Sequence, residues 1–139
     1  MYIFKAIITI LIALYANLCS SNVLGNNFTG SWCWEKNSKQ NAFLIIIKND
    51  SKFYRGGYFS VALGGNRIDD NENAFAFKIS GKNKIKTFIE SGINNQVGVL
   101  QLTIINNNKI EWKILKLPEG DFYVPQIATL YRCSKRSPY

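Results

Sequence analysis

The chain has no histidine and only three cysteines, three prolines and one methionine in 139 residues, with 9 acidic side chains against 17 basic ones. Each scarcity excludes something. Without histidine there is no Ser/His or Cys/His pair, and the commonest general base and metal ligand is missing. Three prolines and no low-complexity run leave no room for a linker between domains, so one domain is the ceiling. A hydrophobic content of 47% with 19% charged residues marks a globular chain rather than a disordered one. The formal charge of +8 is the largest excess left. No nucleophile elbow, Cys-x-x-Cys or phosphate-cradling glycine loop occurs, so neither catalysis nor a cofactor is expected.

The longest apolar run, Ala6 to Ala16, follows Lys5 and precedes the polar Asn17, Ser20, Ser21 and Asn22. That layout reads as a secretory signal peptide over residues 1–21, with cleavage near Ser21 or after Gly25. Eleven residues are about half of the ~20 that span a bilayer, so no permanent anchor is expected after cleavage. Cys19 opens a lipoprotein alternative, but Leu18 stands where such sites want a small residue. The mature domain, 22–139, then keeps Cys33 and Cys133 and a formal +7. Two cysteines in a secreted or periplasmic chain read most simply as one disulfide, against two separate buried thiols as the alternative.

The mature chain divides into eight alternating segments: Phe28–Lys36, Ala42–Lys48, Lys52–Leu63, Ala74–Ser80, Lys84–Glu90, Val97–Ile105, Lys109–Leu117 and Phe122–Arg132. Turn-forming Asn, Asp, Ser and Gly separate them, and no helical period occurs outside the signal. Inward sets such as Phe75, Phe77 and Ile79, or Ile110, Trp112 and Ile114, are apolar; outward ones such as Lys84, Lys86 and Lys113 are charged. The expected fold is all-β, a single antiparallel eight-stranded up-and-down barrel whose bulky interior is filled by side chains.

Thr29-Gly30-Ser31-Trp32 at the start and Leu130-Tyr131-Arg132 at the end resemble the signature of the lipocalin, fatty-acid-binding and avidin barrels. The resemblance implies that Trp32 packs under Arg132 where the first strand meets the last, and Cys33–Cys133 would staple the same seam. Gly56-Gly57-Tyr58-Phe59-Ser60 and Trp112-Lys113-Ile114-Leu115 are similar to the avidin branch. On that likeness Ser38, Tyr58 and Ser60 match hydroxyls that hold a biotin-like ligand, with Trp34 and Trp112 at the barrel mouth. Trp34 stands where that branch has Asn, and Ala74-Phe75-Ala76-Phe77 replaces its Trp-rich strand.

Gly64–Asn73 reads as the longest loop and a partner-binding surface through Asn66, Arg67, Asp69 and Asp70, with Arg67 and Asp69 as a possible ion pair. Asp69, Asp70 and Glu72 lack the spacing of a calcium loop, so no metal is expected. Lys82, Lys84, Lys86, Lys109, Lys113 and Lys116 fall on neighbouring hairpins and form a basic outer face. Export makes nucleic acid an unsuitable partner; an acidic protein or anionic surface fits, while solubility alone is the plainer use of the charge. Asn27-Phe28-Thr29 and Asn49-Asp50-Ser51 match the glycosylation pattern, as chance allows among 16 asparagines. The expected function is non-enzymatic binding: an inhibitor- or immunity-type protein binder first, a small-molecule carrier second.

Overall fold

The computed structural model describes residues 27–134, so the expected signal peptide, 1–21, and Cys19 lie outside the described residues. Eight strands follow in order: β1 (Gly30–Trp34), β2 (Ala42–Asp50), β3 (Phe53–Ala62), β4 (Arg67–Lys78), β5 (Lys84–Glu90), β6 (Val97–Asn106), β7 (Lys109–Lys116) and β8 (Ile127–Arg132). All their pairings are antiparallel, and the sheet order is β4-β3-β2-β1-β8-β7-β6-β5. First and last strands therefore pair in the middle of the sheet, and its two edges, β4 and β5, curl round to face each other. No ladder joins that seam. Thr87 Oγ1 donates to the Ala76 carbonyl at 2.6 Å, and Asn71 Nδ2 to the Glu90 carbonyl at 3.2 Å. The result is a nearly closed up-and-down barrel.

Alternation decides which side chains enter it. Trp32, Phe43, Ile45, Leu100, Leu102, Ile110, Trp112 and Leu130 are fully buried, with Phe28, Tyr54, Tyr58, Phe75 and Phe77 completing one continuous core. Burial of each such side chain contributes about 1.5–3 kcal/mol. Several rings meet edge to face, Phe28 on Phe77 at 5.1 Å and Phe43 on Trp112 at 5.0 Å between centroids. The asparagines have local work at the turns: Asn94 Oδ1 accepts from Gln96 N, and Asn106 Oδ1 from Asn108 N, each two residues on.

The β1–β8 junction has the expected form. Trp32 lies opposite Arg132, whose guanidinium carbon sits 4.0 Å from the centre of the indole. Arg132 also donates to the carbonyls of Thr29, Asn27 and Asn107. Gly30 has φ +132°, and a Cβ there would lie 2.3 Å from the Arg132 Nη1, which explains glycine two residues before the tryptophan. Cys33 and Cys133 form a disulfide 100 positions apart, with Cα atoms 5.0 Å apart.

Two segments differ from the expectation. Gly64–Asn73 is not a loop: Leu63–Gly65 makes one 3-10 turn, and the chain then runs as β4, with Ala62 opposite Arg67, Ser60 opposite Asp69 and Tyr58 opposite Asn71. Its Asn, Asp and Glu residues have poor intrinsic strand preference, and the ladder to β3 overrides it. The expected last strand, Phe122–Arg132, begins only at Ile127. Pro125 has no N–H for a ladder, and 118–126 crosses the barrel end without pairing as a strand.

Candidate functional site

The end of the barrel formed by the β3–β4 turn and the 91–96 turn gathers most of the polar residues singled out from the sequence. Tyr58 points inward from β3 and is buried; its hydroxyl donates to Asp69 Oδ1 at 2.8 Å and accepts from the Gly92 N–H at 2.9 Å. Asp69, 1% exposed, accepts through its other oxygen from the Tyr123 N–H at 3.0 Å. Ser60, equally buried, donates to the Tyr123 carbonyl at 2.6 Å, and the Trp112 indole to the Pro125 carbonyl at 2.9 Å. Phe122 meets the Tyr58 ring edge-on at 6.0 Å, and Val124 is buried. Segment 118–126 thus plugs this end, held by Asp69, Ser60 and Trp112. Among the described residues each buried side-chain nitrogen or oxygen has a partner, as a low-dielectric interior requires.

Burial pushes the Tyr58 phenol far above its ordinary value; the Gly92 N–H opposes the shift and the Asp69 carboxylate reinforces it. The hydroxyl therefore stays protonated and serves as a fixed donor to Asp69.

The structure brings Tyr58, Ser60 and Trp112 together and leaves the other ligand candidates apart. Ser38 is exposed in the β1–β2 turn, where its Oγ accepts from Asn41 N at 3.0 Å. Trp34 is half-buried against the core. Among the proposed loop residues, Asn66 and Arg67 are exposed, and Arg67 Nη1 donates to the Asn66 carbonyl while its guanidinium lies 6.0 Å from the Tyr123 ring centre. Asp70 is exposed on the outer face of β4. Asp69 points the other way from its neighbour Asp70, into the barrel. Both of its oxygens accept from Tyr58 and Tyr123 there, while the Arg67 guanidinium stays outside on the Asn66 carbonyl, so the expected Arg67–Asp69 ion pair does not form. The sequence reading missed Tyr123 and Gly92. A signal for the plug was present, since Pro118 and Pro125 bracket it.

The outside of the barrel has two unlike faces. Across β5, β6, β7 and β8 the outward rows read Lys84, Thr103, Glu111, Thr129 and Lys86, Gln101, Lys113, Ile127, a regular surface rich in lysine. Phe88 and Ile127 stand out from it, 71% and 70% exposed. Across β1, β2 and β3 the outward rows are Cys33, Leu44, Phe59 and Ser31, Ile46, Gly57. Here the surface is indented by a cleft of about 620 Å3 over β2–β4 and an adjoining one of about 460 Å3 reaching the disulfide.

No family model, curated protein or solved structure matches the chain. The site is therefore read from its own geometry. Among the described residues, no group of three His, Cys, Asp or Glu side chains is placed to hold a metal ion, and no helix is long and apolar enough to cross a membrane.

Proposed function

We propose that this chain is an exported, non-enzymatic binding protein of the inhibitor or immunity type, which holds an acidic protein partner against the outer face of β5–β7. The observation that carries the reading is the plug. Tyr58, Ser60 and the Trp112 indole are hydrogen-bonded to the chain's own 118–126 segment or to the groups that anchor it. Recognition then belongs to the outer surface, where Lys86 and Lys113 flank Gln101 in one row and Lys84 lies in the next. Lysines spaced this way attract an acidic surface at long range and speed encounter with it. The disulfide is compatible with an extracytoplasmic setting.

The second reading is a small-molecule carrier on the plan of the lipocalin and avidin barrels, supported by the Trp32–Arg132 seal and by the convergence of Tyr58, Ser60 and Trp112 at one end. It requires the plug to leave. Native mass spectrometry of protein purified from its own host separates the two. An acidic protein partner is expected, retained by wild type and lost from the Lys84→Glu, Lys86→Glu, Lys113→Glu variant. A bound small molecule, kept by that variant, would establish the carrier instead.

A further inference from the structure

The barrel face opposite the lysines carries a second feature, which does not depend on the reading above. Gly57 points outward in the middle of β3, between Ile46 on β2 and the β4 backbone. The β3–β4 register shifts between Gly56 and Tyr58, and the bulge brings the chain across Gly57: a Cβ there would lie 2.5 Å from the Glu72 carbonyl oxygen and 2.6 Å from that of Asn71. The β4 backbone thus covers Gly57, which is buried, and the raised bulge walls one end of a trench, with Glu72 on that wall. The two clefts share Leu44, Ile46 and Phe59, so the trench continues across β2 and β1 to Cys33 and Cys133. Three strand spacings make it about 14 Å long, the reach of about four extended residues.

The lining is sorted along that length. Leu44, Ile46 and Phe59 give it an apolar floor and wall, with Ile46 44% exposed. On the other wall Arg55 is neutralised by Asp50 at 2.6 Å, leaving Lys48. At the bulge end Asp70 and Glu72 are exposed, and neither has an ion-pair partner among the described residues. The unneutralised charge in the trench is therefore net negative, opposite in sign to the chain as a whole.

We infer that this trench binds an extended segment of a partner protein, seating an apolar side chain over Ile46 and Phe59 and a lysine or arginine against Asp70 and Glu72. The apolar floor supplies the favourable burial, and the two carboxylates choose the sign of the neighbouring side chain, disfavouring acidic segments by like-charge repulsion. This specificity differs from that of the lysine face, so the two sites separate by mutation.

The probe is the capped peptide acetyl-Gly-Leu-Gly-Arg-Gly-amide, titrated into the oxidised mature protein and followed by 15N–1H NMR, with the Glu counterpart of the peptide as control. Saturable shifts at the amides of Ile46, Gly57 and Phe59 are expected, with the Glu peptide at least about tenfold weaker. Asp70→Asn with Glu72→Gln removes that preference, and Ile46→Ser weakens binding of both peptides; Lys86→Glu with Lys113→Glu changes neither result. Equal binding of the two peptides, shifts centred on Lys86 and Lys113, or no saturable shifts overturns the inference. So do concentration-dependent shifts of Ile46 and Gly57 without peptide, which would make a second copy of the chain the occupant.

Discussion

The two halves of the barrel wall are built from the same alternating strands, yet one is flat and basic and the other is trenched with an acidic end. On β5–β7 every outward position carries a side chain, and register shifts fall only where β6 meets β7, between Val99 and Leu100 and between Ile104 and Asn106. On β2–β4 one outward position, Gly57, has none, and the bulge at Asn71–Glu72 fills the space above it with backbone. A regular sheet presents a surface that its sequence dictates residue by residue. One glycine lets a bulge lie across a similar sheet, and that bulge walls a concave site lined from four strands.

The largest expected effect tests what holds the trenched half together. Replacing Cys33 and Cys133 by serine removes the staple at the β1–β8 seam and the end of the trench, and should lower stability to urea by about 2–5 kcal/mol. Gly57→Ala drives a Cβ into the bulge carbonyls and should cost about 1–3 kcal/mol, read from thermal unfolding. NMR shifts of that variant should be confined to β2–β4; equal perturbation of β5–β7 would mean that the bulge does not control the trench alone.

Tyr58→Phe leaves Asp69 Oδ1 and the Gly92 N–H without their partner, at a cost of about 1–3 kcal/mol. It also has a pH signature. The folded phenol keeps its proton to higher pH than the unfolded phenol, whose pKa is 10.0, so the unfolded state binds fewer protons in the window above that value. The stability contribution is complete below pH 10 and is lost as pH rises beyond it. Urea unfolding at a series of alkaline pH values should show that decline, and Tyr58→Phe should flatten it. The smallest effect on folding is expected from Lys86→Glu with Lys113→Glu: both side chains are exposed, stability should move by no more than about 0.5 kcal/mol, and only partner binding should change.

Much of the fold was legible residue by residue. The sets Ile85, Thr87, Ile89 and Ile110, Trp112, Ile114 alternate so regularly that their inward direction follows from the period of two, and they face inward. The Trp32–Arg132 contact was legible through the resemblance of Thr29-Gly30-Ser31-Trp32 and Leu130-Tyr131-Arg132 to the lipocalin and avidin barrels, and the Cys33–Cys133 bridge through a pair of cysteines in a chain expected to be exported. Gly64–Asn73 misled because polar, strand-averse residues also occur in loops, and only the pairing of Arg67–Asn71 with Tyr58–Ala62 makes most of it β4. The plug was misread as strand because Phe122, Tyr123 and Val124 look like strand residues, whereas Pro125 and the bonds to Asp69, Ser60 and Trp112 hold them across the barrel end.

Local pattern fixed the eight-stranded plan, the inside and outside of almost every strand, and the lysine face, because side-chain direction in a strand depends on parity along the chain. Only the tertiary structure decided that Tyr58, Ser60 and Asp69 would hold the chain's own plug, and that Gly57 would admit the β4 bulge that walls the trench. Both depend on register between strands, and on a segment, 118–126, that reaches the barrel end from more than 50 residues away in sequence, as the Asp69–Tyr123 separation of 54 shows.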